Sequence, residues 1–135
     1  MKRLTFVAIA AALSLSAMAA DKAKHAAKPA AQQQHAALSA EQINTADRVL
    51  TGQSRCEFDQ SVNVAAVPNQ KGWFQVEYKG HSYLMAPEAT TTGAVRLEDK
   101  KAGMMWLQIA NKSMLMNSKI GQRMVDNCVH PSQRA

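Results

Sequence analysis

Apolar and polar residues alternate along most of the chain after Cys56, which is the pattern of half-buried β-strands. In the first such segment Cys56, Phe58, Val62 and Val64 fall on one face and polar residues on the other. Turn residues separate this segment from six further candidate strands, at 73–78, 81–85, 93–97, 104–109, 113–116 and 123–129. Pro87 is expected to end the strand that precedes it. Short strands at this spacing predict a mainly β fold, a small antiparallel barrel, with a sandwich as the other arrangement.

A different period precedes the strands. Ser39 and Gln42 have the spacing of a capping box, in which each side chain bonds the other residue's backbone N–H. Apolar residues then recur at helical spacing, at Ile43, Ala46, Val49 and Leu50. Gly52 is placed to end the helix. We therefore expect one short amphipathic helix over residues 39–52, packed on a barrel domain of residues 53–135.

The first twenty residues have the layout of a cleavable signal peptide. Lys2 and Arg3 precede an apolar run over 4–17, and small residues follow at Ala17, Ala19 and Ala20. The run is too short for a stable membrane span. No cysteine lies near the expected cleavage point, so no lipid anchor is expected. We predict export to the periplasm as a freely diffusing protein with no membrane anchor.

Residues 21–38 are dominated by alanine, lysine, glutamine and histidine. Such a segment has too few large apolar side chains to offset the entropy lost on ordering, and it is expected to be a disordered linker. From Glu41 onward eleven Lys and Arg face nine Asp and Glu, a net charge of only +2. Nucleic-acid-binding domains concentrate positive charge on one face. No nucleic-acid partner is therefore expected.

Cys56 and Cys128 are the only two cysteines of the chain. In an exported protein they are expected to form a disulfide, because that compartment is oxidising and small domains bury little surface. The bridge would close a loop of 128 − 56 = 72 residues. In the chain-entropy model a loop of this size stabilises the fold by about 4 kcal/mol.

Catalytic motifs are absent from the sequence. There is no serine in a Gly-x-Ser-x-Gly turn, both cysteines are assigned to the bridge, and the glycines form no phosphate-binding loop. We expect no enzymatic activity and no cofactor. Methionine is abundant late in the chain, and Met114 and Met116 with Trp106 offer soft ligands for Cu(I) or Ag(I). The alternative for these methionines is core packing.

Several segments together resemble the periplasmic and membrane-bound inhibitors of c-type lysozyme. Residues 74–85 read Phe-Gln-Val-Glu-Tyr-Lys-Gly-His-Ser-Tyr-Leu-Met, similar to that family's Phe-x-Val-x-Tyr-x-Gly-x-x-Tyr-x-Leu strand. Residues 92–97, Thr-Gly-Ala-Val-Arg-Leu, are similar to the family's Ser-Gly-x-Arg-Tyr recognition loop, with one residue more before Arg96. Trp106 matches a tryptophan on the next strand, and the two cysteines occupy the family's positions. The missing lipid-anchor cysteine favours the soluble periplasmic branch.

The resemblance implies a partner and a binding surface. The partner would be a c-type lysozyme, and the residues presented to it would be Thr92, Gly93, Arg96 and Lys112. Hydroxyl and cationic donors of this kind suit a cleft that holds two carboxyl groups. The alternative is that the loop is purely structural and Arg96 pairs with Glu98 or Asp99. A soft-metal carrier and an envelope interaction module remain alternative functions, and the oligomeric state is open.

Overall fold

A computed structural model describes residues 35–134 of the chain. The predicted signal peptide and the predicted linker up to residue 34 lie outside the described residues. The elements comprise one α-helix, α1 (Ala40–Ala46), and eight strands in one sequentially ordered antiparallel sheet. The strands are β1 (Gly52–Arg55), β2 (Ser61–Ala66), β3 (Phe74–Tyr78), β4 (His81–Glu88), β5 (Val95–Asp99), β6 (Met104–Gln108), β7 (Ser113–Asn117) and β8 (Gln122–Cys128). The sheet curls into a nearly closed barrel, which confirms the predicted fold class.

The barrel interior is filled by the alternate residues that the sequence pattern assigns to one face. Trp106 lies opposite Leu97 on one neighbouring strand and opposite Leu115 on the other, and all three are almost completely buried. Val64 and Val76 form a similar buried pair between β2 and β3. Burial of each such side chain contributes about 2 kcal/mol. The core therefore extends around the whole barrel.

The disulfide between Cys56 and Cys128 is present, as predicted. It lies where the barrel closes, because a single bridge between Arg55 and Val129 connects the first strand to the end of the chain. A side chain satisfies part of the remaining edge of β8: the Asp126 backbone N–H donates to Glu57 Oε1 at 3.0 Å. The closure thus combines one covalent bond with a few polar contacts.

Three local features differ from the expectations: the end of the helix, the position of Phe58 and the role of Pro87. The helix ends at Ala46, six residues before Gly52, and Gly52 instead begins β1 with a φ of +110°. Phe58 was expected on the inner face with Val62 but is 83% exposed. Its φ of 56° is left-handed, and a backbone bond from Cys56 N to Gln60 O closes a tight turn that breaks the alternation.

Pro87 does not end its strand, because β4 continues to Glu88. The neighbouring strand β3 begins at Phe74, which lies opposite Met85. Pro87 lies beyond this last pair, so β3 offers no acceptor there and the missing N–H of proline costs no hydrogen bond to β3. Pro87 lies opposite Leu97 of β5 instead. A proline is accommodated where a strand changes its partner.

The last residues of the predicted linker contact the barrel. Trp73 Nε1 donates to the Ala36 carbonyl at 3.3 Å, and the His35 and Trp73 rings lie 4.7 Å apart. A Cβ added at Gly72 would lie only 2.4 Å from Leu38 Cδ1, so glycine permits this close approach. No helix within residues 35–134 has the length and apolar character needed to cross a membrane.

Candidate functional site

The β4–β5 and β6–β7 connections emerge at the same end of the barrel, because successive hairpins of an antiparallel sheet alternate between its two ends. Between these connections lies an open groove of about 450 Å³. Thr92 and Gly93 line it from the first connection and Ile109 from the second, while Arg48 lines it from the segment after α1. This groove holds two of the four residues predicted to bind a partner.

The β4–β5 loop is held in shape by its own side chains. The Thr90 hydroxyl donates to the Ala94 carbonyl at 2.7 Å, and Gly93 has a φ of +79° that favours glycine. Thr92 and Gly93 are exposed. Within residues 35–134 the Thr92 hydroxyl accepts a long bond of 3.5 Å from Ala94 N and donates to no acceptor, so its proton is available to a ligand.

Arg48 contributes a cation to this groove that the sequence analysis did not identify. Its guanidinium NH1 donates to the Gly93 carbonyl at 2.6 Å, and the side chain is exposed. No carboxylate in the described part of the chain forms an ion pair with it. Its positive charge therefore remains uncompensated beside the exposed loop.

Gln108 positions Arg48. Gln108 is the last residue of β6 and its side chain is buried. Its Nε2 donates to the Arg48 carbonyl and its Oε1 accepts from Leu50 N, both at 2.9 Å. Gln42 fixes the preceding helix by donating to the Pro87 carbonyl at 2.8 Å. In the sequence, Gln108 is a polar residue at a position that the alternation with Met104 and Trp106 assigns to the inward face. That position was the one sequence signal for a polar site at the end of β6.

Arg96 lies on the outer face of β5, between the inward-facing Val95 and Leu97. Its NH2 forms an ion pair with Glu98 at 2.5 Å. Of the two carboxylates expected as its partner in the structural alternative, Arg96 thus pairs with Glu98, and a role in binding stays a prediction. Arg96 does not line the groove.

Lys112 lies in the β6–β7 connection, but its ammonium turns toward β8. Its Nζ lies 3.3 Å from Asp126, which also pairs with Arg123 at 3.0 Å. Asp126 is buried at a β-bulge, where the backbone N–H of Asn127 donates to its Oδ1 at 2.6 Å. That hydrogen bond and then Lys112 hold the pKa of Asp126 below its ordinary value, against the effect of burial.

The structure therefore brings Thr92 and Gly93 together with Arg48, and it assigns Arg96 and Lys112 to ion pairs elsewhere. Among residues 35–134, no hydrogen bond or ion pair connects Thr92, Arg96 and Lys112 with one another. Of the four residues predicted to bind a partner, the groove holds Thr92 and Gly93 and does not include Arg96 or Lys112, and a role of any of them in binding stays a prediction. The carboxylates Glu98 and Asp126 hold the two cations on the barrel wall.

The soft-metal ligands proposed from the sequence do not share a face. Trp106 points into the core, whereas Met114 and Met116 flank the buried Leu115 and lie on the outer face of β7. These three side chains cannot surround one ion, because the sheet separates the indole from the thioethers. In the described part of the chain no three His, Cys, Asp or Glu side chains are grouped to hold a metal.

Comparison of the chain with protein-family models, with curated proteins and with solved structures gives no match.

Proposed function

We propose that the protein is an exported, non-enzymatic binding protein of the lysozyme-inhibitor type. It presents the Thr92–Gly93 loop and Arg48 to the carboxyl groups in the cleft of a c-type lysozyme. One observation carries the proposal: the exposed Arg48 guanidinium, which pairs with no carboxylate of residues 35–134, lies against Gly93 on the groove that Thr92 also lines.

The chemistry of the groove complements such a cleft. A glycosidase cleft holds two carboxyl groups, one acting as acid and one as nucleophile or stabiliser. A guanidinium binds a carboxylate through charge-assisted hydrogen bonds, about twice as strong as neutral ones. The Thr92 hydroxyl supplies a neutral donor for the second carboxyl group of the cleft, the one that acts as acid.

The groove is also organised before any partner arrives. Arg48 is held at its carbonyl by Gln108 and at its guanidinium by Gly93, so binding fixes few additional side-chain rotamers. Ile109, 37% exposed on the same groove, offers apolar area next to the polar donors. This combination of an apolar contact with a few fixed donors is typical of a specific interface.

Inhibition of lysozyme tests the proposal. In a turbidity assay on bacterial cell walls, the purified protein is expected to inhibit a c-type lysozyme and to leave a g-type muramidase active. A chito-oligosaccharide that fills the c-type cleft is expected to compete with the protein for binding. Absence of inhibition at a large molar excess, or binding that the oligosaccharide leaves unchanged, contradicts the proposal.

A further inference from the structure

Four long apolar side chains lie side by side on the outside of the barrel. In β6 and β7 the inward positions belong to Met104, Trp106 and Leu115, so the residues between them face outward. The outward residues are Met105, Leu107, Met114 and Met116, all half-buried. Three of the four are methionines.

The register places these methionines within reach of one another. Met105 is directly opposite Met116, and Met114 lies two residues along β7 on the same face, opposite Leu107. Directly opposite residues have Cβ atoms about 4.5–5.5 Å apart, and diagonal neighbours about 7–8 Å apart. Because a methionine side chain has three flexible torsions, three thioether sulfurs can converge above the sheet.

We infer that Met105, Met114 and Met116 form a binding site for a soft monovalent cation of the Cu(I) or Ag(I) type. Thioethers select such ions over harder cations such as Mg²⁺ and Ca²⁺. The thioether carries no titrating proton, so the site needs no deprotonation to bind. Both cysteines are bonded to each other, which leaves methionine as the soft ligand in residues 35–134.

Core packing does not account for this cluster. Met85 and Met104 are the methionines that fill the interior, at 0% and 3% exposure. The outer three contribute nothing to that core because they lie on the opposite face of the sheet. Charged residues border the cluster on both sides, since Glu98 is opposite Met105 and Arg123 is opposite Met116. The apolar side chains are thus confined to a short stripe with polar edges.

The site is tested with silver nitrate as the probe and protein labelled with ¹³C at the methionine methyl groups. On titration with Ag(I), the methyl signals of Met105, Met114 and Met116 are expected to shift together and to saturate at one ion per chain. The signals of the buried Met85 and Met104 are expected to stay in place. This readout needs no substitution and does not depend on lysozyme binding.

A matched pair of variants completes the test. Leucine conserves the volume of methionine, so M105L/M116L is expected to fold, as checked by circular dichroism, and to bind Ag(I) at least tenfold more weakly. The control is M124L, which alters an exposed methionine outside the cluster and is expected to retain the affinity. Shifts confined to Met124 or to histidine rings, no shifts at all, or unchanged affinity in the double variant would overturn the inference.

Discussion

The three cationic side chains in and near the groove differ in whether a carboxylate neutralises their charge. Arg96 and Lys112 are each paired with a carboxylate, whereas within residues 35–134 the Arg48 guanidinium donates to the Gly93 carbonyl and forms no ion pair. The sequence offered Glu98 or Asp99 as a partner for Arg96, and the structure pairs it with Glu98. For Arg48 the sequence contained no indication, since the contact with Gly93 spans 45 residues and depends on the path of the chain after α1.

Asp126 provides a test at this scale. Asp126→Asn removes the charge that pairs with Lys112 and Arg123, and we expect a loss of about 1–2 kcal/mol in unfolding free energy at neutral pH. Urea denaturation of both proteins measures it. A comparable loss in the control Asp47→Asn, an exposed aspartate at the end of α1, would show that the effect is not specific to the buried pair.

The Asp126 carboxylate also makes the unfolding free energy depend on pH. The folded-state pKa of Asp126 is lowered, so its contribution is fully present above the unfolded pKa of about 4. The contribution is lost as the pH falls through the lower folded value. The stability difference between wild type and Asp126→Asn is therefore expected to shrink below pH 4. A difference that stays constant down to pH 2 contradicts this account.

At the scale of elements, strict alternation predicted most of the sheet. The segments that became β3 and β5 to β8 lie within one or two residues of their predicted bounds. The prediction failed at Glu57–Asp59, where Phe58 and Asp59 adopt left-handed backbone conformations without a glycine to mark the turn. Such a turn depends on contacts with distant segments, which a local pattern does not contain.

The end of α1 was mispredicted for a related reason. Val49 and Leu50 continue the helical spacing, yet they lie in an irregular segment beyond the helix, in which Val49 packs against the barrel core. Gln108 Nε2 donates to the Arg48 carbonyl and Gln108 Oε1 accepts from Leu50 N, and these two bonds replace helical bonds that the segment does not form. The amphipathic spacing correctly predicted that this segment packs on the barrel, but it wrongly predicted a helical conformation beyond Ala46.

Gln108→Leu tests this attachment. It leaves Leu50 N and the Arg48 carbonyl without their partner, and we expect the unfolding free energy to fall by about 1–3 kcal/mol. Amide hydrogen exchange is expected to show faster exchange at Leu50, while β3 stays protected. The matched control is Gln53→Leu at an exposed position of β1. Unchanged protection at Leu50 in Gln108→Leu would show that the segment is held by other contacts.

At the scale of the whole molecule, one covalent bond closes the barrel across a sequence separation of 72 residues. Reduction, or the double variant C56A/C128A, is expected to lower the unfolding free energy by about 4 kcal/mol, because the unfolded chain gains the entropy of an open loop. Denaturation with and without a reductant measures the difference in wild type. The double variant should not respond to the reductant, and a loss below about 1 kcal/mol would contradict the assigned role.

The groove, the ion pairs on the barrel wall and the methionine stripe occupy different parts of the same molecule. The sequence placed Thr92 and Gly93 on an exposed loop, and the structure adds Arg48 from a segment far away in the chain. With a net charge of only +2 from Glu41 onward, long-range attraction contributes little to partner binding. Affinity must then come mainly from contacts within the groove.

Calorimetric titration of a c-type lysozyme with wild type, Arg48→Ala and Arg96→Ala tests the central claim most directly. Wild type is expected to bind with one site per lysozyme, and Arg48→Ala is expected to bind at least tenfold more weakly, because a charge-assisted contact with a carboxylate is lost. Arg96→Ala, which removes a cation already paired with Glu98, is expected to bind within about threefold of wild type. Binding that Arg48→Ala leaves intact and Arg96→Ala abolishes would contradict the account, and so would the absence of binding by wild type.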